Sequence, residues 1–190
     1  MSSLPQPSLP PGVSWPQVLM VLEKEQTDRL SQNRLKSYRP YRKQSDFHAA
    51  LFRERALVAG NQLGKTLAAG MEVAMHLTGR YPDWWIGKRF DRPVRWLAGS
   101  ESAELTRKGV QRILLGPPEL ESEWGTGAIP KDCLLPGISR SRGVPDAVSS
   151  IPVRHASGGS SVIQLNSYDQ GRTKWQADTG QSEAAFQAQL

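Results

Sequence analysis

At 190 residues the chain has the length of a single domain, with enough mass to bury a core. Hydrophobic residues make up 38% and charged residues 22%, an ordinary globular balance, and no run of 18 apolar residues exists to span a membrane. The lone cysteine, Cys133, excludes an internal disulfide and suits a reducing cytoplasm, while the net charge of +6 favours polyanionic partners such as DNA, RNA or nucleotides.

Much of that charge lies between residues 29 and 55, where Arg34, Lys36, Arg39, Arg42, Lys43, Arg53 and Arg55 are close together. Residues 1–13 hold four prolines and no apolar periodicity, so they are expected to be flexible, and they lack the basic-then-apolar order of a secretory leader. Ser14 and Gln17 have capping-box spacing, and Val18, Val21 and Leu22 form a short apolar stripe. A helix is therefore predicted, turning highly charged and running to about Lys36. Tyr38-Arg39-Pro40-Tyr41 breaks it, because the residue before a proline avoids helical geometry. Gln44–Phe52 is predicted as a second short helix. Residues 14–54 then make a helical lead-in.

The core is placed at residues 55–179. Ala56-Leu57-Val58-Ala59 reads as a buried strand, and Gly60–Gly64 as a turn. Lys65–Leu77 is a helix with Leu67, Met71, Ala74 and Met75 on one side and Gly79 as its stop. In the following loop, Trp84 and Trp85 are expected to be packing anchors. Val94–Ala98 is a second strand, and Ala103–Leu115 a second helix ending at Gly116-Pro117-Pro118. That order predicts an α/β fold, a parallel sheet flanked by helices and preceded by a helical extension. Residues 116–159 are irregular, Ser161–Asn166 is a further strand, and the Ala/Gln-rich residues 180–190 offer none. None of His48, His76 and His155 has the partner spacing of a zinc ligand.

The run Ala59-Gly60-Asn61-Gln62-Leu63-Gly64-Lys65-Thr66 matches the phosphate-loop pattern G-x-x-x-x-G-K-[ST] except for Ala59 at the first glycine. Gly64 lets successive backbone N–H groups curl around phosphates, and the helix that follows adds its positive end. Lys65 would place an ammonium on the β- and γ-phosphates, and the Thr66 hydroxyl would hold Mg²⁺. A fortuitous Gly-Lys-Thr helix cap is the competing reading. The apolar tetrapeptide before it and the amphipathic helix after it favour the loop. The pattern implies an ATP-binding protein of the P-loop NTPase class.

Reading outward, the chain resembles the ATPase-bearing large subunit of the bacteriophage terminases, motors that package DNA into capsids. The resemblance rests on Tyr38–Gln44, Ala59–Thr66, His76–Trp85, Glu123–Lys131, Arg142–Ala147 and Ser167–Gln176, which run in order over about three-quarters of the chain. It implies ATP and Mg²⁺ as cofactors. The implied partners are double-stranded DNA, the small terminase subunit and the capsid portal, in the cytoplasm of a bacterial host. It also implies that Gln44 senses adenine, with Pro40 and Tyr41 shaping the base pocket, and that Gly60, Asn61, Gln62, Gly64, Lys65 and Thr66 hold the phosphates. A surface glutamine on a short helix is the alternative for Gln44. Many terminases carry an arginine where Asn61 stands, so a built-in arginine finger is in doubt. Arg53 and Arg55 are possible substitutes, ordinary solvated arginine the other reading.

The same resemblance predicts a strand ending in Asp and Glu soon after Lys174-Trp175-Gln176, the acids that hold Mg²⁺ and activate water. Here the chain reads Ala177-Asp178-Thr179-Gly180-Gln181-Ser182 instead. The expectation is of a truncated product without the acidic strand or a nuclease half, its last ten or so residues resembling a shifted reading frame. Such a chain would bind ATP and hydrolyse it poorly. Alternatives are a non-catalytic remnant that binds DNA or a packaging partner through its basic surface, and a small complete kinase or other NTPase.

Overall fold

A computed structural model describes residues 14–31 and 34–168; the expectations for residues 1–13, for most of the Ser167–Gln176 stretch and for the 180–190 tail fall outside them. Helix α1 spans Trp15–Ser31, α2 Arg34–Ser37 and α3 Arg42–Ala49. The α1 start follows the capping-box spacing: the backbone N–H of Ser14 donates to Gln17 Oε1 at 2.9 Å.

Helix α4, Lys65–Thr78, is bounded by two left-handed glycines, Gly64 at φ 73° and Gly79 at φ 66°. Met71, Ala74 and Met75 are buried as their spacing requires, but Leu67 faces outward at 37% exposure and Ala68 takes the inward position. The helix end is sealed from outside, because the Thr78 carbonyl accepts from the N–H of Ala156 at 2.8 Å.

The sheet has four strands in the order β1-β4-β3-β2: β1 Arg95–Ser100, β2 Ser139–Arg140, β3 Val148–Arg154 and β4 Ser160–Ser167. Only β1 and β4 are parallel; β3 runs antiparallel to both β4 and β2. The predicted all-parallel sheet is thus corrected to a mixed one. Strand β3 lies in the stretch expected to be irregular. Its sequence VSSIPVR does not alternate cleanly, yet Val148, Ile151 and Val153 are buried, and the Pro152 carbonyl accepts from Leu135 N–H at 3.2 Å.

Between β1 and β2 lies a helical run, residues 103–115, made of α5 Ala103–Leu105, a π turn Thr106–Gln111 and α6 Arg112–Leu115. Buried Gln111 accounts for the extra residue in the turn. Its side-chain nitrogen donates to Asp146 O at 2.8 Å and its oxygen accepts from Val148 N–H at 3.0 Å, so the helix must present that amide to the β3 entry. Helix α4 and this run pack on the sheet and on each other. They close a core of Met75, Leu77, Leu114, Leu115, Ile129, Ile151, Val153 and Ile163. Each such side chain contributes on the order of 1.5–3 kcal/mol by leaving water.

The segment Ala56–Ala59, expected as a buried strand, forms no regular element and pairs with no strand among the described residues, and Val58 is 90% exposed. A strand is held by its neighbour's peptide groups. Here an apolar groove of about 500 Å³, lined by Leu57, Val73, Trp96, Ala98, Val110 and Ile113 among others, separates this segment from the outer edge of β1.

Candidate functional site

The loop between Ala59 and Lys65 turns sharply on two left-handed residues, Gln62 at φ 62° and Gly64 at φ 73°. Lys65 is the first residue of α4, and its ammonium folds back over the loop to donate to the carbonyls of Ala59 and Gly60, both at 2.7 Å. Gly60, Asn61, Gln62 and Thr66 are exposed around it. The positive end of a 14-residue helix, a lysine charge and an exposed hydroxyl thus meet at one turn. That arrangement suits an anion carrying a cation of its own.

Gln44 is not a surface residue. It is 6% exposed, accepts from Tyr41 N–H through Oε1 at 2.9 Å, and donates through Nε2 to Gly64 O at 3.3 Å. The structure therefore brings Gln44 onto the last glycine of the loop. Tyr41 stands 77% exposed beside it and Pro40 is half-buried. Asn61 carries no charge to the loop, and Arg55 is turned to Glu72 and stacks over Phe47 with 4.7 Å between guanidinium carbon and ring centroid. The reading of Arg55 as an ordinary solvated arginine is thereby corrected. Arg53 is exposed.

Sequence reasoning passed over the polar hub beneath the loop. Glu72, two turns along α4 from Lys65, is 3% exposed and receives three donors. His48 Nδ1 donates at 2.7 Å, His76 Nε2 at 3.4 Å, and Arg55 forms a short ion pair. Each histidine is held on its far side by a tyrosine hydroxyl at 3.0 Å, Tyr38 on His48 and Tyr81 on His76. Burial alone would raise the Glu72 carboxyl, but the hydrogen bonds from His48, His76 and Arg55 and the Arg55 charge outweigh it and bring it down to about 2. Burial and then the Glu72 charge push Tyr38 up to about 12. The Glu72–His76 spacing of four was visible in the sequence; the long-range partners were not.

Trp85 is buried and Trp84 half-buried against this hub, the packing role expected of them. Cys133 is 1% exposed, and burial holds its thiol above the usual range. Among the described residues no group of His, Cys, Asp and Glu is arranged to hold a metal, and no helix is long and apolar enough to cross a membrane.

The sequence profile of the family described as "Terminase large subunit, T4likevirus-type, N-terminal" matches residues 56–186. The chain belongs to the terminase large subunit family. The "Terminase, large subunit" of Salmonella phage P22 is 39% identical over 182 residues, which cover 86% of this chain and 36% of that relative. This terminase chain therefore spans little more than a third of the relative it matches. No solved structure gives a significant match. The family match opens at Ala56 and takes in the loop, α4 and all four strands of the terminase chain, while Gln44, His48 and Arg55 lie just ahead of it.

Proposed function

We propose that this terminase chain is the nucleotide-binding portion of a viral DNA-packaging motor and takes Mg·ATP at the Ala59–Thr66 loop. The observation that carries the reading is Lys65: it opens α4 directly after left-handed Gly64, with its ammonium poised over the loop carbonyls of Ala59 and Gly60. In this reading the ammonium swings from those carbonyls to the β- and γ-phosphate oxygens. The Thr66 hydroxyl would hold Mg²⁺, and backbone N–H groups from Gly60 to Gly64 would turn toward the phosphates. Bound Mg²⁺ would neutralise charge on the phosphates. In this reading Gln44, which donates to the Gly64 carbonyl, would present its remaining amide hydrogen to a base edge.

Catalysis asks for more than binding. Among the described residues, the parallel strands β1 and β4 end in Ser100 and Ser167, whose hydroxyls cannot act as the general base a γ-phosphate displacement uses. On the described residues, binding of Mg·ATP with slow or no turnover is the outcome this reading expects. The test is calorimetry with the wild-type chain and Lys65→Ala: removing the ammonium should weaken Mg·ATP by about tenfold or more. Equal affinity in the two proteins overturns the assignment.

A second reading has its own observation. Arg34, Lys36, Arg39, Arg42, Lys43 and Arg53 are all exposed around α2 and α3, a surface suited to a phosphate backbone. DNA binding that falls steeply with salt and ignores ATP would favour this reading over the first.

A further inference from the structure

Three parts of the chain must be held together for the proposed site to exist: α3, which carries Gln44; the run-in at Arg55, which leads to the loop; and α4, which starts at Lys65. One side chain touches all three. Glu72 projects from α4, receives His48 from the end of α3, and receives Arg55 from the run-in. His76, one turn further along α4, adds a third donor. The groups facing Glu72 are thus His48, His76 and Arg55, with Tyr38 and Tyr81 behind the two rings.

We infer that Glu72 is a positioning residue for base recognition: by fixing His48 and Arg55 to α4 it sets α3 at the height where Gln44 meets Gly64. This rests on the nucleotide-binding reading above. The geometry separates its role from that of Lys65. Lys65 and Thr66 belong to α4 itself and keep their place without the hub, whereas the Gln44 amide sits on α3, a helix of eight residues tied to α4 by His48–Glu72 and by Gln44's own bond to Gly64. Cutting the hub should let α3 shift while the phosphate grip remains.

The experiment compares Mg·ATP with inorganic tripolyphosphate, which has the phosphates and no base, for the wild type, Glu72→Gln, His48→Ala, His48→Asn and Gln44→Ala. Glu72→Gln keeps the shape and removes the charge that Arg55 and the rings converge on. It should weaken Mg·ATP by about tenfold and leave tripolyphosphate within about threefold. His48→Ala should do the same, and His48→Asn, whose amide nitrogen can stand where Nδ1 stands, should recover part of the loss. Because Glu72 acts through Gln44, the double variant Glu72→Gln/Gln44→Ala should lose no more ATP affinity than Gln44→Ala alone.

A role confined to stability would lower both ligands in parallel, and that result overturns the inference, as does unchanged ATP affinity in Glu72→Gln. Should Glu72→Gln fail to fold, the two His48 variants decide the matter on the same criterion. If the wild type binds neither ligand, or Lys65→Ala binds both normally, the nucleotide reading itself falls. If Lys65→Ala loses both while Glu72→Gln and His48→Ala still favour ATP, only this inference falls.

Discussion

Gln44 Nε2 lies 3.3 Å from the carbonyl oxygen of Gly64, and a β-carbon added to that glycine would lie 2.9 Å from the same nitrogen. The contact is thus built on the absence of a side chain as well as on the left-handed backbone. Gly64→Ala should lower the unfolding free energy by about 1–2 kcal/mol, since the φ of 73° is disfavoured for alanine. It should also displace Gln44. Urea unfolding checks the first effect; unchanged stability would show that the loop turns differently from the geometry given.

Gly79 makes the same point at the other end of α4, with a different neighbour. Its φ is 66°, and an added β-carbon would meet the His155 ring at 2.6 Å. Gly79→Ala is expected to destabilise by about 1–3 kcal/mol through strain and crowding together. Gly79→Asn, which tolerates the left-handed region but still carries the β-carbon, should recover only the dihedral part. Full recovery in thermal melts would remove the His155 contact from the explanation.

Glu72 gives the stability curve a sign. Its carboxyl is held down to about 2 in the folded chain, against 4.5 ordinarily. Between those values the unfolded chain takes up a proton that the folded chain refuses. The stabilisation is therefore complete above about pH 4.5 and fades as the pH drops toward 2, by on the order of 3 kcal/mol in all. Wild type should lose more unfolding free energy across that window than Glu72→Gln. Parallel acid limbs in denaturant titrations would contradict the hub.

Two apolar positions that look alike in sequence should behave oppositely. Val58 is 90% exposed in the unpaired run-in, whereas Ile163 is fully buried in β4. Val58→Ser should change stability by no more than about 0.5 kcal/mol, and Ile163→Ala should cost about 2–5 kcal/mol. A large loss at Val58 would mean that the run-in is packed against something in solution.

These residues also show what a sequence can and cannot reveal. Helix α4 was readable because its evidence is local: apolar spacing at Met71, Ala74 and Met75, and a glycine just past its end. The strands at 95–100 and 160–167 were readable for the same reason, as short apolar runs. Ala56–Ala59 has an equally good local pattern and forms no ladder among the described residues, because pairing is decided by what lies alongside. Strand β3 hid behind Ser149, Ser150 and Pro152, and its place is set by β4. The π turn depends on Gln111 meeting Asp146 and Val148 more than thirty residues away.

At the site, the loop was legible from its glycine, lysine and threonine. The burial of Gln44, and the turning of Arg55 away from solvent, were not. Gln44 meets Gly64 twenty residues away, and Arg55 turns to Glu72, whose partners come from positions 48, 55 and 76; no local pattern joins those.

The folded-back Lys65 has a kinetic consequence. Its ammonium already holds two carbonyl oxygens, so under the proposed nucleotide-binding function an arriving polyphosphate would compete with the loop for the same hydrogens and gain only the difference. Capture would then be an exchange with a side-chain swing as its intermediate step. On that proposal the association rate should fall below what free diffusion of two opposite charges would give, and that is where the internal competitor would show itself.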